Sequence, residues 1–518
     1  MLRSRCCLVV GWVVTSVLSL PAQATAVRHA PPSFVDPQRR QQVDAVLPEI
    51  DRLFAGLAEK QHLPGLVYGV VLDGQLVHSR ALGLADVERK IPVANDTRFR
   101  IASMTKSFVA MAALQLRDAG KLSLDDPVAK HLPEFAAVRL PTADAPPITI
   151  EHLMTMTTGW PEDNPWGDRQ MAIPQAELER FVAAGLSFAN PPGQQFEYSN
   201  LGYVLLGKVV GKVAGVRVQD HITTRILQPL GMRHTVWEYG EVPAGKLALG
   251  YRWQGGAWQR EPILHDGDGA AMGGLITTLD DFARYLAFHL SAWPSRDEAD
   301  TGPVRRATVR EMHLPRIFSG ASPRAVLLDG TTPNPSVTFY GYGLGWNRDS
   351  RGVVKISHSG GLPGYGSIHR FCPDHAVGVI AFTNLRYGPV YDAANEALNL
   401  ILERGPLRAR AVATSAILAL RQQQVAAMLQ SWDAALLAAI TADNFLLDRS
   451  LADWQALAAE RLAAIGAVVR IGAIVPENQL RGTFPIVGEK GRLDVWFSLT
   501  PEAEPKVQEL RLVVVPAK

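Results

Sequence analysis

Ser103 and Lys106 form the one Ser-x-x-Lys pair in this chain of 518 residues. On a helix, positions i and i+3 lie on one face about a turn apart. A helix N-terminus carries partial positive charge and free N–H groups, which favour an attacking alkoxide and can donate to an oxyanion. A lysine held beside the hydroxyl and partly desolvated shifts toward its neutral form and can take or relay the serine proton. The same pair also fits a capping serine with a surface lysine, so it needs company. Tyr198-Ser199-Asn200 supplies some, as the one Tyr-x-Asn among eleven tyrosines, following Pro191-Pro192-Gly193. A tyrosine at a loop-to-helix junction beside a lysine cation can have a lowered pKa and act as a base. The Asn200 amide can hold that lysine and a substrate carbonyl; the plainer alternative is a core tyrosine with an asparagine cap. The third candidate is His358-Ser359-Gly360, which runs on into Gly361-Leu362-Pro363-Gly364. A strand edge beside glycines lets a substrate backbone lie alongside, and a free N–H there can complete an oxyanion hole. A second His-x-Gly, His265-Asp266-Gly267, sits in a Gly- and Asp-rich stretch with no strand before it.

These residues need elements to bring them together. Val43, Val46, Leu47, Ile50, Leu53, Phe54 and Leu57 recur at helical spacing, which predicts an amphipathic helix. Leu66–Leu72 and Gln75–Ala81 flank Asp73-Gly74, a pair suited to the two positive φ angles of a type I′ hairpin. Phe108–Leu116 is almost continuously apolar and meets Gly120, so Ser103 opens a buried helix with a glycine stop. Helical pieces are expected at Glu151–Met156 and Leu201–Val213. Val353–Ser357, Ser367–Phe371 and Ala376–Thr383 read as three strands followed by a helix over Tyr391–Leu402. The pattern predicts an α+β fold: an antiparallel sheet of N- and C-terminal strands, flanked by helices, with an all-helical middle region. Composition shifts at Gly405-Pro406. Ala-rich helical periods and four short strands then predict a small α+β domain over 406–518, after a main domain spanning 27–405.

The 52 Lys+Arg against 50 Asp+Glu, with no basic block, exclude a nucleic-acid binder. A basic start, an apolar run from Cys6 to Leu20 and small residues around Ala22–Ala26 predict a secretory signal peptide over residues 1–26. The run is short for a membrane anchor. Cleavage would leave Cys372 as the lone cysteine and exclude an internal disulfide, which suits a bacterial periplasmic or secreted protein without membrane attachment. Gly-x-Ser-x-Gly, His-Glu-x-x-His, Cys-x-x-Cys and Walker A motifs are all absent.

In this order, Ser103-x-x-Lys106, Tyr198-x-Asn200 and His358–Gly366 resemble the serine β-lactamase and penicillin-binding-protein superfamily, and within it the class C β-lactamase-like branch. Flanking phrases extend the likeness over about Val43–Leu402: Thr97–Ser103, Ile148–Thr155, Gly273–Thr278 and Tyr342–Trp346. The resemblance implies Ser103 as acylated nucleophile, Lys106 as its proton partner and Tyr198 as general base. It implies Asn200 as the substrate-orienting amide, the N–H groups of Ser103 and Gly361 as oxyanion hole, and His358 and Gly360 as substrate-binding. It implies no metal and no cofactor. Dedicated class C β-lactamases have lysine where this chain has His358, and a histidine of ordinary pKa is mostly neutral at pH 7. Histidine versions of the family include D-alanyl-D-alanine carboxypeptidases, D-amino-acid peptidases and esterases. The expectation is an esterase or peptidase acting on a small-molecule or peptide substrate, peptidoglycan-derived ones included. A D-alanyl-D-alanine carboxypeptidase or β-lactamase is the nearest alternative, and a non-catalytic penicillin- or peptidoglycan-binding protein the more distant one. The last domain is weakly similar to NTF2-like modules. The oligomeric state has no signature in the sequence.

Overall fold

The computed structural model describes residues 30–164 and 166–516; the expected signal peptide lies outside them. Contacts divide the chain into two compact units, the larger spanning Pro32–Ala411 and the smaller containing Val412 onward.

The larger unit is built on a sheet that is nine-stranded among the described residues. Its strands are β1 (Gly65–Leu72), β2 (Gln75–Asp86), β3 (Ile91–Pro92), β4 (Ile317–Ser322), β5 (Ser336–Tyr340), β6 (Gly345–Asp349), β7 (Val354–Leu362), β8 (Tyr365–Cys372) and β9 (Val377–Thr383). The order across the sheet is β3-β2-β1-β9-β8-β7-β6-β5-β4, with antiparallel pairing throughout. The N-terminal hairpin turns through Asp73 and Gly74 at φ 51° and 82°, the two positive angles expected of that turn. It joins the C-terminal strands through β1 against β9, from Leu66 opposite Thr383 to Leu72 opposite Val377.

Strand period 2 sends alternate side chains of β1 into two different cores. Leu66, Tyr68, Val70 and Leu72 pack with α1 (Arg39–Lys60) and a C-terminal helix, Val390–Glu403. Val67 and Val71 face the other way. There they join α2 (Thr105–Asp118), α3 (Asn200–Ala214) and α4 (Leu279–Ser291) in the larger core. The sheet is therefore covered on both faces. The middle of the chain is helical, with a small hairpin, Tyr251–Gln254 against Ala257–Arg260, set into it. The edge strand β4 and its neighbour β5 lie outside the strands that the sequence predicts, and most of their side chains are partly exposed or exposed.

The smaller unit packs helices, chiefly Ala416–Ser431 and Leu451–Ile465, with an antiparallel sheet that is five-stranded among the described residues, around its own core. Among the described residues, no helix is long and apolar enough to cross a membrane.

Behind the main sheet, His289 and His313 are buried and bonded to each other, Nδ1 to Nε2 at 2.7 Å. The Trp293 indole donates to His313 Nδ1 at 2.9 Å. An indole can only donate, so His313 Nδ1 accepts and its Nε2–H donates to His289. Both rings are thus neutral, and burial pushes His289 down to about 3. Below pH 6.5 the unfolded chain takes up protons that the folded rings refuse. Stability is complete above about pH 6.5 and falls as pH drops toward 3, by about 1.4 kcal/mol per pH unit for each such histidine. Urea unfolding at pH 7 and pH 5 should show that loss, and His289→Gln should reduce the slope. An unaltered slope in that variant would contradict the assignment.

Candidate active site

Ser103 lies in the single turn Ala102–Met104 that leads into α2, and Lys106 in the first turn of α2 itself. The residue before the serine, Ala102, has φ +49°. That left-handed conformation is costly for a residue with a Cβ and persists when its surroundings over-determine it. Here the preceding residue is pinned on both sides: Ile101 N–H donates to Leu275 O at 3.0 Å, and Ser367 Oγ donates to Ile101 O at 2.7 Å.

Lys106 has no exposed surface. Its Nζ donates to Ser103 Oγ at 2.9 Å, Asn200 Oδ1 at 2.7 Å and Met272 O at 2.7 Å. Three acceptors saturate an ammonium, but all three are neutral. Loss of water outweighs the fields of Asp168 and Asp163 and pulls the lysine down from 10.5 to about 7. That shift corresponds to about 5 kcal/mol against the charged form, so near neutrality the proton is held weakly.

Tyr198 precedes α3, with its ring centroid 5.0 Å from Lys106 Nζ. Its side chain lines the same cleft as Ser103, which acts on the phenol in the direction of a lower pKa. The sequence suggested a lowered tyrosine pKa beside the lysine; the structure gives the opposite. Burial dominates, Asp168 and Asp163 add to it, and Tyr198 is held well above the usual phenol range. Asn200 is fixed from both sides, with Oδ1 on Lys106 and Nδ2 donating to Asn164 Oδ1 at 2.6 Å.

His358 lies within β7 rather than after a strand. Strand β6 pairs with β7 only as far as Gly345 opposite Ser357. Beyond it, His358–Leu362 keeps β8 as its one strand partner, with His358 opposite His369. The open edge expected from the glycines is therefore present. His358 Nδ1 lies 2.6 Å from Ser359 O and Nε2 lies 3.0 Å from Tyr340 OH. A carbonyl can only accept, so Nδ1 carries the proton and Nε2 accepts from the phenol. Burial and the charge of Lys106 press this histidine down to about 3. It is neutral at any ordinary working pH, more firmly than an unperturbed histidine.

A cleft of about 560 Å³ brings these groups together. Ser103, Tyr198, His358 and Gly361 line it, with Glu162, Asn164, Asp168, Phe196, Glu197, Ser359 and Tyr387. Lys106 and Asn200 lie behind the serine. Gly360 faces the serine turn, where a Cβ would come within 2.2 Å of Ile101 O and 2.4 Å of Ser367 Oγ. His265, of the second His-x-Gly, is elsewhere, exposed and 3.2 Å from Glu238. Among the described residues, no group of three or more His, Cys, Asp or Glu could hold a metal ion.

Two short pieces were not singled out from the sequence, Glu162–Asn164 and the turn Gly167–Arg169. Asp163 accepts from the N–H groups of Asn200 at 2.7 Å and Leu201 at 2.8 Å, so a carboxylate satisfies the orphan donors that open α3. Gly167 permits the approach, because a Cβ there would lie 2.7 Å from that of Asn200. Asp168 is buried and accepts from Tyr387 OH at 2.9 Å. The available signal was the cluster Glu162-Asp163-Asn164 followed by Gly167-Asp168, with no helical or strand period.

Fold and cleft together define a β-lactamase/penicillin-binding-protein architecture. The beta-lactamase family profile matches residues 50–403, and the chain belongs to that family. The esterase EstB of Burkholderia gladioli is 30% identical over 388 residues, covering 67% of this chain and 94% of its own. Protein flp of Staphylococcus aureus strain MW2 is 28% identical over 351 residues, covering 65% of this chain. The chain spans about 63% of the length of protein flp. Among solved structures, a penicillin-binding protein from Bacillus halodurans aligns at TM-score 0.52 and 26% identity, covering 66% of this chain and 98% of its own. An octameric penicillin-binding protein homologue from Pyrococcus abyssi shares the fold at TM-score 0.60 and 23% identity, covering 91% of this chain and 96% of its own.

Gly360→Ala tests the packing of this site. The clash is with backbone, which cannot swing away, so the expected loss is about 1–3 kcal/mol of stability. Chemical denaturation measures it, and an unchanged midpoint would contradict the close approach of β7 to the serine turn.

Proposed function

We propose that this protein is a serine hydrolase that forms an acyl-enzyme on Ser103 and cleaves ester or amide substrates, with an extracytoplasmic location. The observation that carries this reading is the direct bond from a buried, weakly basic Lys106 to the Ser103 hydroxyl at 2.9 Å. In acylation, Ser103 Oγ bonds to the substrate carbonyl carbon while its proton passes to the neutral Lys106 amine. Tyr198, which lines the cleft with Ser103 and lies with its ring centroid 5.0 Å from Lys106 Nζ, relays a proton from that ammonium to the departing alkoxide or amine as its bond to carbon breaks. Water then attacks the acyl-enzyme by the same route in reverse, releasing the acid and free Ser103. In this scheme the lysine, whose pKa matches neutral pH, holds the proton. The tyrosine conveys it and never needs to be a free phenolate. The N–H groups of Ser103 and Gly361 receive the oxyanion, and Asn200 orients the carbonyl.

Within the class C-like branch, this scheme fits an esterase or peptidase better than a β-lactamase. A β-lactam carboxylate needs a lasting positive charge on β7, and His358 with a pKa of about 3 supplies none.

A fluorophosphonate probe should label the wild-type chain and not Ser103→Ala; labelling that survives would remove the nucleophile from the scheme. Tyr198→Phe should slow p-nitrophenyl ester turnover by at least about 100-fold, the scale of a lost acid–base group. The kcat/KM profile should rise with pH through a limb near 7, as Lys106 loses its proton. Asp168 raises the lysine pKa, so Asp168→Asn should move that limb to lower pH. A limb that stays in place or moves upward would contradict the role of Lys106.

A further inference from the structure

The lining of the catalytic cleft is strongly one-sided in charge. Glu162, Asp168 and Glu197 contribute to it, whereas no arginine or lysine does. None of the three carboxylates is neutralised by an ion pair among the described residues. Their polar partners are uncharged: Asn164 Nδ2 donates to Glu162 at 3.4 Å, Asn190 Nδ2 to Glu197 at 3.3 Å and Tyr387 OH to Asp168 at 2.9 Å. Two arginines are near but outside the lining. Arg169 acts on Asp168 only through its field, and Arg386 sits 5.6 Å from the Tyr387 ring centre and 3.8 Å from Glu261. Lys106 is turned inward and fully occupied by Ser103, Asn200 and Met272.

A second feature of the same wall points to the same ligand. Phe196, Tyr198 and Tyr387 line the cleft beside the carboxylates, and aromatic faces attract cations through their quadrupoles. An alkylammonium gains from both groups and loses little on leaving water when its charge is spread over methyl groups. A carboxylate would meet three acidic side chains and a His358 held neutral by burial.

We infer that this cleft selects substrates carrying an alkylammonium group near the scissile carbonyl and rejects those carrying a carboxylate there, with Glu162, Asp168 and Glu197 as the specificity-determining side chains. The inference rests on the hydrolase reading and adds the substrate class to it. Its chemistry is that of acyl transfer to Ser103 already described. The carboxylates contribute binding and field, and no proton moves through them.

Three p-nitrophenyl esters of matched shape test it: 4-(trimethylammonio)butanoate, its neutral isostere 5,5-dimethylhexanoate, and hemiglutarate. At low ionic strength kcat/KM should fall in that order, with the cationic ester favoured over the anionic one by about 100-fold. The preference should shrink as salt screens the charges. In the double variant Glu162→Gln/Glu197→Gln, the cationic-to-neutral ratio should drop by about tenfold. Titration of the three esters into Ser103→Ala by calorimetry should show affinity falling in the same order, with Kd smallest for the cationic ester and largest for the hemiglutarate. Equal values, or a preference for the hemiglutarate, would overturn the inference in either measurement. Ester hydrolysis that is absent in the wild type, or that persists in Ser103→Ala, would instead overturn the hydrolase reading, while the Kd order still decides the inference.

Discussion

One constraint organises this molecule: a lysine is buried with no anion in direct contact. Lys106 has three oxygen acceptors and all are neutral. Its nearest charges, Asp163 and Asp168, act at a distance and recover only part of the cost of removing its water. A buried, unpaired ammonium is among the costliest groups a fold can hold. The price is reduced because the group titrates near neutrality instead of keeping its charge. Poised between forms, it can take a proton from a hydroxyl and return it.

Much of the surrounding packing keeps water away from that nitrogen. Tyr198 and Tyr203 place their rings 5.0 and 5.7 Å from it. Met272 supplies its carbonyl just ahead of Gly273, where a Cβ would lie 3.3 Å from the backbone of Ala102. Gly343, at φ +72°, lets a loop rest on the first turn of α2, within 2.9 Å of Lys106 O for a Cβ built there. The carboxylate of Asp163 caps α3 and so sets the height of Asn200 against the lysine. Each element is conventional alone; together they close the rear of the cleft and leave the front open toward the stretch of β7 that β6 does not cover.

The sequence made much of this legible, for identifiable reasons. The Asp73-Gly74 turn and the buried α2 depend on local chemistry, so period and turn residues revealed them. The phrases Ile148–Thr155, Gly273–Thr278 and Tyr342–Trp346 supply direct packing around α2 and α3: Tyr203 OH donates to Met154 O at 2.8 Å, and Tyr342 OH to Glu151 at 2.7 Å. Asp163 and Asp168 were opaque because they lie in segments too short to show a period, and the role of Asp163 arises only where it meets α3. The pKa of Tyr198 was misjudged for a related reason. Sequence reveals the neighbouring lysine but not the depth of burial, and burial was the larger effect. His358 shows the same limit in milder form, its neutrality anticipated but its bond to Tyr340 invisible.

The protonation of one amine, Lys106 Nζ, can be observed directly. With lysines carrying isotope labels at the side-chain terminus, NMR titration of the wild type, assigned by comparison with Lys106→Arg, reads the Lys106 signal alone. A midpoint near pH 7 is the predicted result. A midpoint near 10.5, the ordinary lysine value, would mean that the ammonium stays charged throughout the working range and that the proton transfer from Ser103 has no acceptor there.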